Sequence, residues 1–374
     1  MGDKFADNTR FLFQYLYENK NKYGIKNVVW VTRDIETYKT LNDMGYTVAK
    51  MHSIKSYYFH LRAGIHLICN MYYKTNSYKG DILGNLSFLA TKVQLFHGVG
   101  IKACGKMRNK KESKKNDTEA FLSSIINNIA LLSPGGWNNC YFIATSEENK
   151  RIAEDDYGYT EDKIIVTGYP RLCECVRHLP VEEEIIDSIK RKSMEGYIII
   201  LYLPTFREVS DSFIQPSSID GFSNFIIDNK LYWIEKRHSA DLTQRSEGFK
   251  CIHSLSSDFD VNTLYPYIDL LITDYSSAAS DAAYWNKLTL EYCPDFNKYK
   301  NDDRGFVAPF NQYHVNDFPV TDSKVLFDSI LNEIENGRNA SNTMKRNAVK
   351  TLLFGNIPYD YNSIVLNIIK AVHS

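Results

Sequence analysis

Several common protein classes are excluded by features this chain does not have. Its 374 residues hold no apolar run of membrane-span length, and the opening MGDKFADNTR has no apolar stretch of the kind a secretory signal carries. A net charge of −1 gives no general attraction for nucleic acid. The seven cysteines, at 69, 104, 140, 173, 175, 251 and 293, are odd in number and dispersed, as expected of thiols kept reduced in a cytosol. Cys173 and Cys175 are close, but no second pair or histidine stands at zinc spacing from them. There is no GxxxxGK(S/T), which argues against a P-loop nucleotidase, and no early GxGxxG, which argues against a dinucleotide site. No carboxylate cluster of the magnesium type stands out, so neither a metal nor a cofactor is expected.

What is present is apolar residue in quantity, 44% of the chain, enough for two ordinary cores. Short apolar runs alternate with helical patterns. In the amino-terminal half the expected strands are Asn27 to Thr32, Tyr46 to Ala49, His66 to Asn70, Lys92 to Phe96, Tyr141 to Ala144 and Ile164 to Thr167. Helices are expected over Asp7 to Asn21, Ile35 to Met44, Ser53 to Ala63 and from Thr145, whose spacing to Glu148 matches a capping box, to Ala153. Such alternation predicts a parallel sheet covered on both faces. A charged, helical stretch from Cys175 to Gly196 reads as the domain junction. Tyr197 to Leu203, Leu231 to Glu235, Leu270 to Thr273 and Thr289 to Tyr292 then read as strands of a second sheet, closed by three carboxyl-terminal helices.

Open α/β sheets bind ligands beyond the carboxyl ends of their strands. The polar residues of this chain collect there. Lys92 to Phe96 runs into His97, Gly98 and Lys102: a histidine titrating near neutrality, a permissive turn and a cation. Thr167-Gly168-Tyr169-Pro170-Arg171 leaves the last strand of the first half by a sharp turn. In the second half Thr205 and Arg207 follow one strand, and Lys236, Arg237 and His238 follow the next. Asp274, Ser276 and Ser277 lie between a strand and a small-residue helix carrying Asp281, where hydroxyls and free N–H groups favour an anion, although either serine also suits a simple helix cap. Arg304 is a further candidate phosphate arginine in a loop. Two sheets facing across a cleft would grip a phosphorylated ligand mainly with the second half.

A basic run, KMRNKKESKK, carries Lys106, Arg108, Lys110, Lys111, Lys114 and Lys115 and is followed by an amphipathic helical pattern from Thr118 to Leu132. Together they could lie on an anionic bilayer. The uncharged polar face of the helix favours an ordinary core-facing role instead.

Taken in order, HGVGIK (97–102), TGYPR (167–171), LPTFRE (203–208), KRH (236–238), TDYSSAASD (273–281) and RGF (304–306) resemble the CDP-glycerol glycerophosphotransferases, the teichoic acid primases and polymerases. The resemblance runs from Asn8 to about Pro309. It implies a GT-B fold of two facing Rossmann-like domains with parallel sheets, expected here as an acceptor-side domain over 1–178, a CDP-donor domain over 179–345 and a closing helix over 346–374. It implies transfer of glycerol phosphate or ribitol phosphate from CDP-glycerol or CDP-ribitol to a hydroxyl of a lipid-linked saccharide or polyol-phosphate polymer, with release of CMP. His97 then matches the candidate base and His238 a second histidine near the donor phosphates. Thr205, Arg207, Arg237, Ser276, Ser277 and Arg304 fall at donor-phosphate positions. Gly98, Lys102, Arg171, Asp274 and Asp281 are further motif residues. Val99 and Ser239 depart from the family pattern and bear on the acceptor. The expected location is the cytoplasm, with peripheral attachment to the inner face of the membrane. A GT-B glycosyltransferase using a nucleotide sugar, and a non-catalytic membrane-surface binder of anionic polymer, are the rival readings.

Overall fold

The computed structural model describes residues 4–69, 90–99, 102–103, 107, 140–205, 214–236, 251–302, 306–316, 318–356 and 359–373. Its strands are β1 Trp30–Thr32, β2 Val48–Lys50, β3 Ile65–Ile68, β4 Thr91–Gln94, β5 Cys140–Ala144, β6 Ile164–Val166, β7 Ile198–Leu203, β8 Leu231–Glu235, β9 Ile252–Ser254, β10 Leu270–Thr273 and β11 Leu288–Glu291. Its helices are α1 Asp7–Asn19, α2 Ile35–Asp43, α3 Ile54–Arg62, α4 Glu147–Ile152, α5 Pro180–Met194, α6 Phe222–Asp228, α7 Ala278–Tyr284, α8 Phe296–Asp302, α9 Phe310–Tyr313, α10 Leu326–Asn336, α11 Ala340–Phe354 and α12 Tyr361–His373. The expected helix from Thr118 to Leu132 and the basic run before it lie outside the described residues, apart from Met107.

Among the described residues, the pairings between these strands are all parallel. The second sheet has the order β11-β10-β7-β8-β9, the arrangement of a Rossmann half, with its topological switch point between β7 and β10. Both of its faces are covered. Ile185, Ile186 and Ile189 of α5 pack with Leu201, Ile234 and Leu271 on one side. Phe222, Ile226, Leu326 and Ile330 pack with Ile200, Trp233 and Ile272 on the other. That double burial is why β7 reads as the unbroken run IIILYL.

The first half differs from the single sheet expected. Among the described residues β1 pairs only with β2, and β3-β4-β5-β6 form a separate sheet. Of the apolar run Asn27 to Thr32, only Trp30–Thr32 is strand. The capping box at Thr145 and Glu148 is also corrected. Ser146 caps α4, accepting from the Asn149 amide at 3.2 Å, while Thr145 donates its hydroxyl to the Leu353 carbonyl at 2.6 Å. Glu148 turns to Arg151 and Tyr313 instead.

The chain ends by returning to the first half. Val349, Leu353 and Phe354 of α11 and Ile364, Val365 and Ile368 of α12 share one core with Leu12, Val93, Phe142 and Ile165. Gly168 permits this return: at φ +135° it lies against the Tyr359 ring, and a β-carbon there would come within 2.7 Å of ring carbon Cγ.

Candidate active site

β4 hands the chain to His97 through Phe96, which is held at φ +54°, a costly conformation for a residue with a β-carbon. Asn8 of α1 pins it. The buried Asn8 amide donates to the carbonyls of Leu95 and Phe96, both at 3.0 Å, and its oxygen accepts from the Arg171 backbone N–H at 3.1 Å. Beyond this turn, His97 Nδ1 lies 3.2 Å from the Cys69 carbonyl. A carbonyl only accepts, so this bond puts the proton on Nδ1 and leaves the Nε2 lone pair available. The residue keeps solvent exposure, while protein atoms crowd around its ring. Crowding holds its pKa below the ordinary value, although Asp7 and the Cys69 carbonyl pull the other way. The result is an oriented, neutral imidazole, as a general base requires.

Gly98 brings this turn against the second half. At φ +150° it packs on Ser277, and a β-carbon at residue 98 would sit 2.8 Å from that of Ser277. Lys102 continues the contact: its ammonium donates to Thr205 Oγ1 at 3.0 Å, and its backbone bridges Phe306. Thr205 in turn donates its hydroxyl to Asp274 at 2.5 Å and its N–H to the same carboxylate at 2.8 Å. Thr205 follows β7 and Asp274 follows β10, so this knot lies at the switch point. Ser276 Oγ accepts from the Ala278 amide at 3.3 Å, and α7 is only seven residues long, so hydroxyls and loop amides outweigh any helix dipole here. Tyr275 lies beneath, stacked on Tyr299 with ring centres 3.8 Å apart and bonded to Asp295 at 2.9 Å.

Arg171 does not reach the sheet edge as a free cation. It is 2% exposed and bonded to Asp7 at 2.8 Å and, by both oxygens, to Asp281 at 2.9 and 2.7 Å. Burial pulls its pKa down, but the two carboxylates outweigh that and raise it, so the guanidinium stays charged. Asp7 N donates to Asp260 of the second half at 2.8 Å. Arg10, wholly buried, is chelated by Glu182 at 2.5 and 2.7 Å. Asp7, Asn8, Arg10 and Asp260 thus frame the site, and sequence reasoning assigned them no role. A polar stripe on an amphipathic helix reads as its solvent face, and nothing in the spacing shows that α1 is buried on that side too.

Arg207, Arg237, His238 and Arg304 lie outside the described residues. Thr205, Lys236 and Phe306, which flank them, stand at the carboxyl edge of the second sheet, and Lys236 donates to the Phe259 carbonyl at 2.5 Å.

Two Rossmann-like halves with facing strand ends define a GT-B type transferase. The chain matches the CDP-Glycerol:Poly(glycerophosphate) glycerophosphotransferase family over residues 1–354, and it belongs to that family. It is an enzyme that moves a polyol phosphate from a CDP-activated donor. Among curated relatives, the teichoic acid poly(glycerol phosphate) polymerase of Bacillus spizizenii is 25% identical over 341 residues, covering 87% of this chain and 80% of the relative. The teichoic acid glycerol-phosphate transferase of Staphylococcus aureus is 24% identical over 348 residues, covering 90% and 83%. The solved wall teichoic acid polymerase TagF superposes with a TM-score of 0.72 at 17% identity, over 100% of this chain and 86% of that one.

Proposed function

We propose that this enzyme extends or primes a teichoic acid type polymer by transferring glycerol phosphate or ribitol phosphate to a hydroxyl of a lipid-linked or polymeric acceptor. The observation that supports this reading is the packing of the turn that follows His97 on the switch point of the second sheet, through Gly98 on Ser277 and Lys102 on Thr205. His97 Nε2 takes the proton of the acceptor hydroxyl, whose oxygen attacks the β-phosphorus of the CDP-polyol. The bond from that phosphorus to the bridging oxygen breaks, and CMP leaves with the electron pair. Ser276, Ser277 and Lys102 meet the diphosphate, joined by Arg207, Arg237, His238 and Arg304. Positioning and charge balance supply most of the acceleration, as in phosphoryl transfer generally. The first 178 residues serve the acceptor side and residues 179–345 the donor side. The enzyme works at the cytoplasmic face of the membrane, where such an acceptor is anchored. Family membership displaces the nucleotide-sugar reading.

The test is CMP release from CDP-glycerol and CDP-ribitol, with and without a lipid-linked acceptor. His97→Ala should lower kcat by about 10²- to 10⁴-fold with donor affinity retained. Unchanged turnover removes His97 from the chemistry.

A further inference from the structure

Helix α3 is built the wrong way round for a soluble protein. A surface helix normally turns its apolar stripe to the core and its polar face to water. In α3 the buried side chains are polar, Ser56, fully buried, and His60, 8% exposed, with Phe59 half-buried beside them. The outward ones are Ile54, Tyr58 and Leu61, at 87%, 54% and 61% exposure, with Tyr57 beside them. Positions 54, 58 and 61 share one helical face. Scattered exposed apolar residues need no explanation, but four on nine residues of one helix form a patch.

Behind this helix, lined by residues of β1 and β3, lies a cavity of about 490 Å³. Leu12, Phe13, Trp30, Phe59, Ile65 and Ile368 line it, with Tyr58 and Arg62 among its wall residues. The stretch of sequence that contains the helix carries charge of one sign. No acidic residue occurs between Asp43 and Asp81, in a chain with 45 of them, and Lys50, Lys55 and Arg62 fall within that interval. Lys55 and Arg62 lie on α3 itself, exposed at its two ends.

We propose that α3 is a lipid-binding element: it lies in the headgroup boundary of an anionic phospholipid bilayer with Ile54, Tyr58 and Leu61 inserted, and the cavity behind it accepts one acyl chain. Basic side chains flanking an inserted apolar face, with tyrosine at the boundary, suit such a surface. A purely anionic soluble polymer would satisfy the cations and leave the apolar stripe in water. The inference deepens the membrane contact proposed above, assigning it to α3, and is independent of the role of His97.

Co-sedimentation with vesicles of phosphatidylglycerol and phosphatidylcholine, against phosphatidylcholine alone, tests it. The full chain should partition onto the anionic vesicles, and I54Q/Y58Q/L61Q should lose at least tenfold in partitioning. CMP release with a soluble acceptor should be unchanged in that variant, which shows that it is folded and active. Neutralising Lys55 or Arg62 should cost about fivefold each at low salt. Phosphatidylglycerol brominated on its acyl chains should quench tryptophan fluorescence, and Trp30→Phe should remove most of that quenching. Equal vesicle binding by the triple variant overturns the assignment to α3 while leaving membrane attachment standing. No binding by the parent chain overturns both. A change of oligomeric state on substitution, with vesicle binding unaltered, shows a second copy as the occupant and also overturns it. Quenching that survives in Trp30→Phe refutes the acyl pocket.

Discussion

At the scale of single residues, the turn that carries His97 is held by one buried side chain from α1. Phe96 keeps its left-handed backbone because Asn8 donates to two consecutive carbonyls, at 95 and 96. Asn8→Ala leaves both acceptors unpaired and should cost about 1–3 kcal/mol in stability. It should also release the turn, lowering kcat about tenfold or more while the donor KM moves less than about threefold. Asn8→Asp keeps the size and the acceptor for Arg171 N–H but turns the donor into a charge facing two carbonyls, so it should not rescue. The state of His97 is checked by pH. Below its pKa the imidazole is protonated and cannot take the acceptor's proton, so activity falls as pH falls through that value. Its pKa is held down by crowding, which places the acid limb of kcat/KM below the ordinary histidine value of 6.5. Asp7 opposes that shift, so Asp7→Asn should move the limb to still lower pH. A limb that moves upward in Asp7→Asn refutes this electrostatic account.

At the scale of elements, legibility followed burial. β7 and β10 were readable because strands covered on both faces are nearly continuous apolar runs bounded by polar residues, and those residues stand at the sheet edge. β1 was over-read, since Val28 to Val31 are apolar without a break but, among the described residues, only Trp30–Thr32 pair with a strand. Hydropathy reports burial, and pairing is decided by neighbours far off in sequence. Helix existence was readable at α1 and α3, but not what their faces meet: Arg10 and Asn8 are buried, and Leu61 is exposed. His66 of β3 shows the energetic consequence of such placement. Burial, with minor help from His60 and Lys92, lowers its pKa from 6.5 to about 3, so it stays neutral in the fold. The unfolded chain binds that proton near pH 6.5 and the native one does not until about pH 3. Stability therefore falls with acidification across this window, by about 1.4 kcal/mol per pH unit. Between pH 6.5 and 5 the parent chain should lose about 2 kcal/mol more than His66→Leu, measured as urea unfolding free energies. Equal losses would mean that His66 is protonated in the fold.

At the scale of the whole molecule, the two halves are joined by charge as well as by packing. Arg171 comes from the exit of β6, Asp281 from α7 of the second half, and Asp7 from the start of α1, itself tied to Asp260. The motifs TGYPR and TDYSSAASD were visible as separate runs of residues. That the arginine of one closes on the second aspartate of the other was not, because a long-range ion pair leaves no local pattern. The arrangement places Gly98 against Ser277 only while the halves are docked, so the geometry of the proposed site and the ionic joint form together. Removing one member of a buried pair leaves an uncompensated charge, at about 3–5 kcal/mol. Arg171→Met should therefore destabilise by about that amount, having stranded two carboxylates. The double substitution Arg171→Met/Asp281→Leu removes one of those charges and should recover part of the loss in unfolding free energy. Recovery of stability without recovery of CMP release would separate the two roles of the joint, since an apolar contact can hold the halves together without fixing the register of His97 over the switch point. If the double variant is no more stable than Arg171→Met alone, the two side chains are not energetically coupled, and the docking of the halves rests on packing instead.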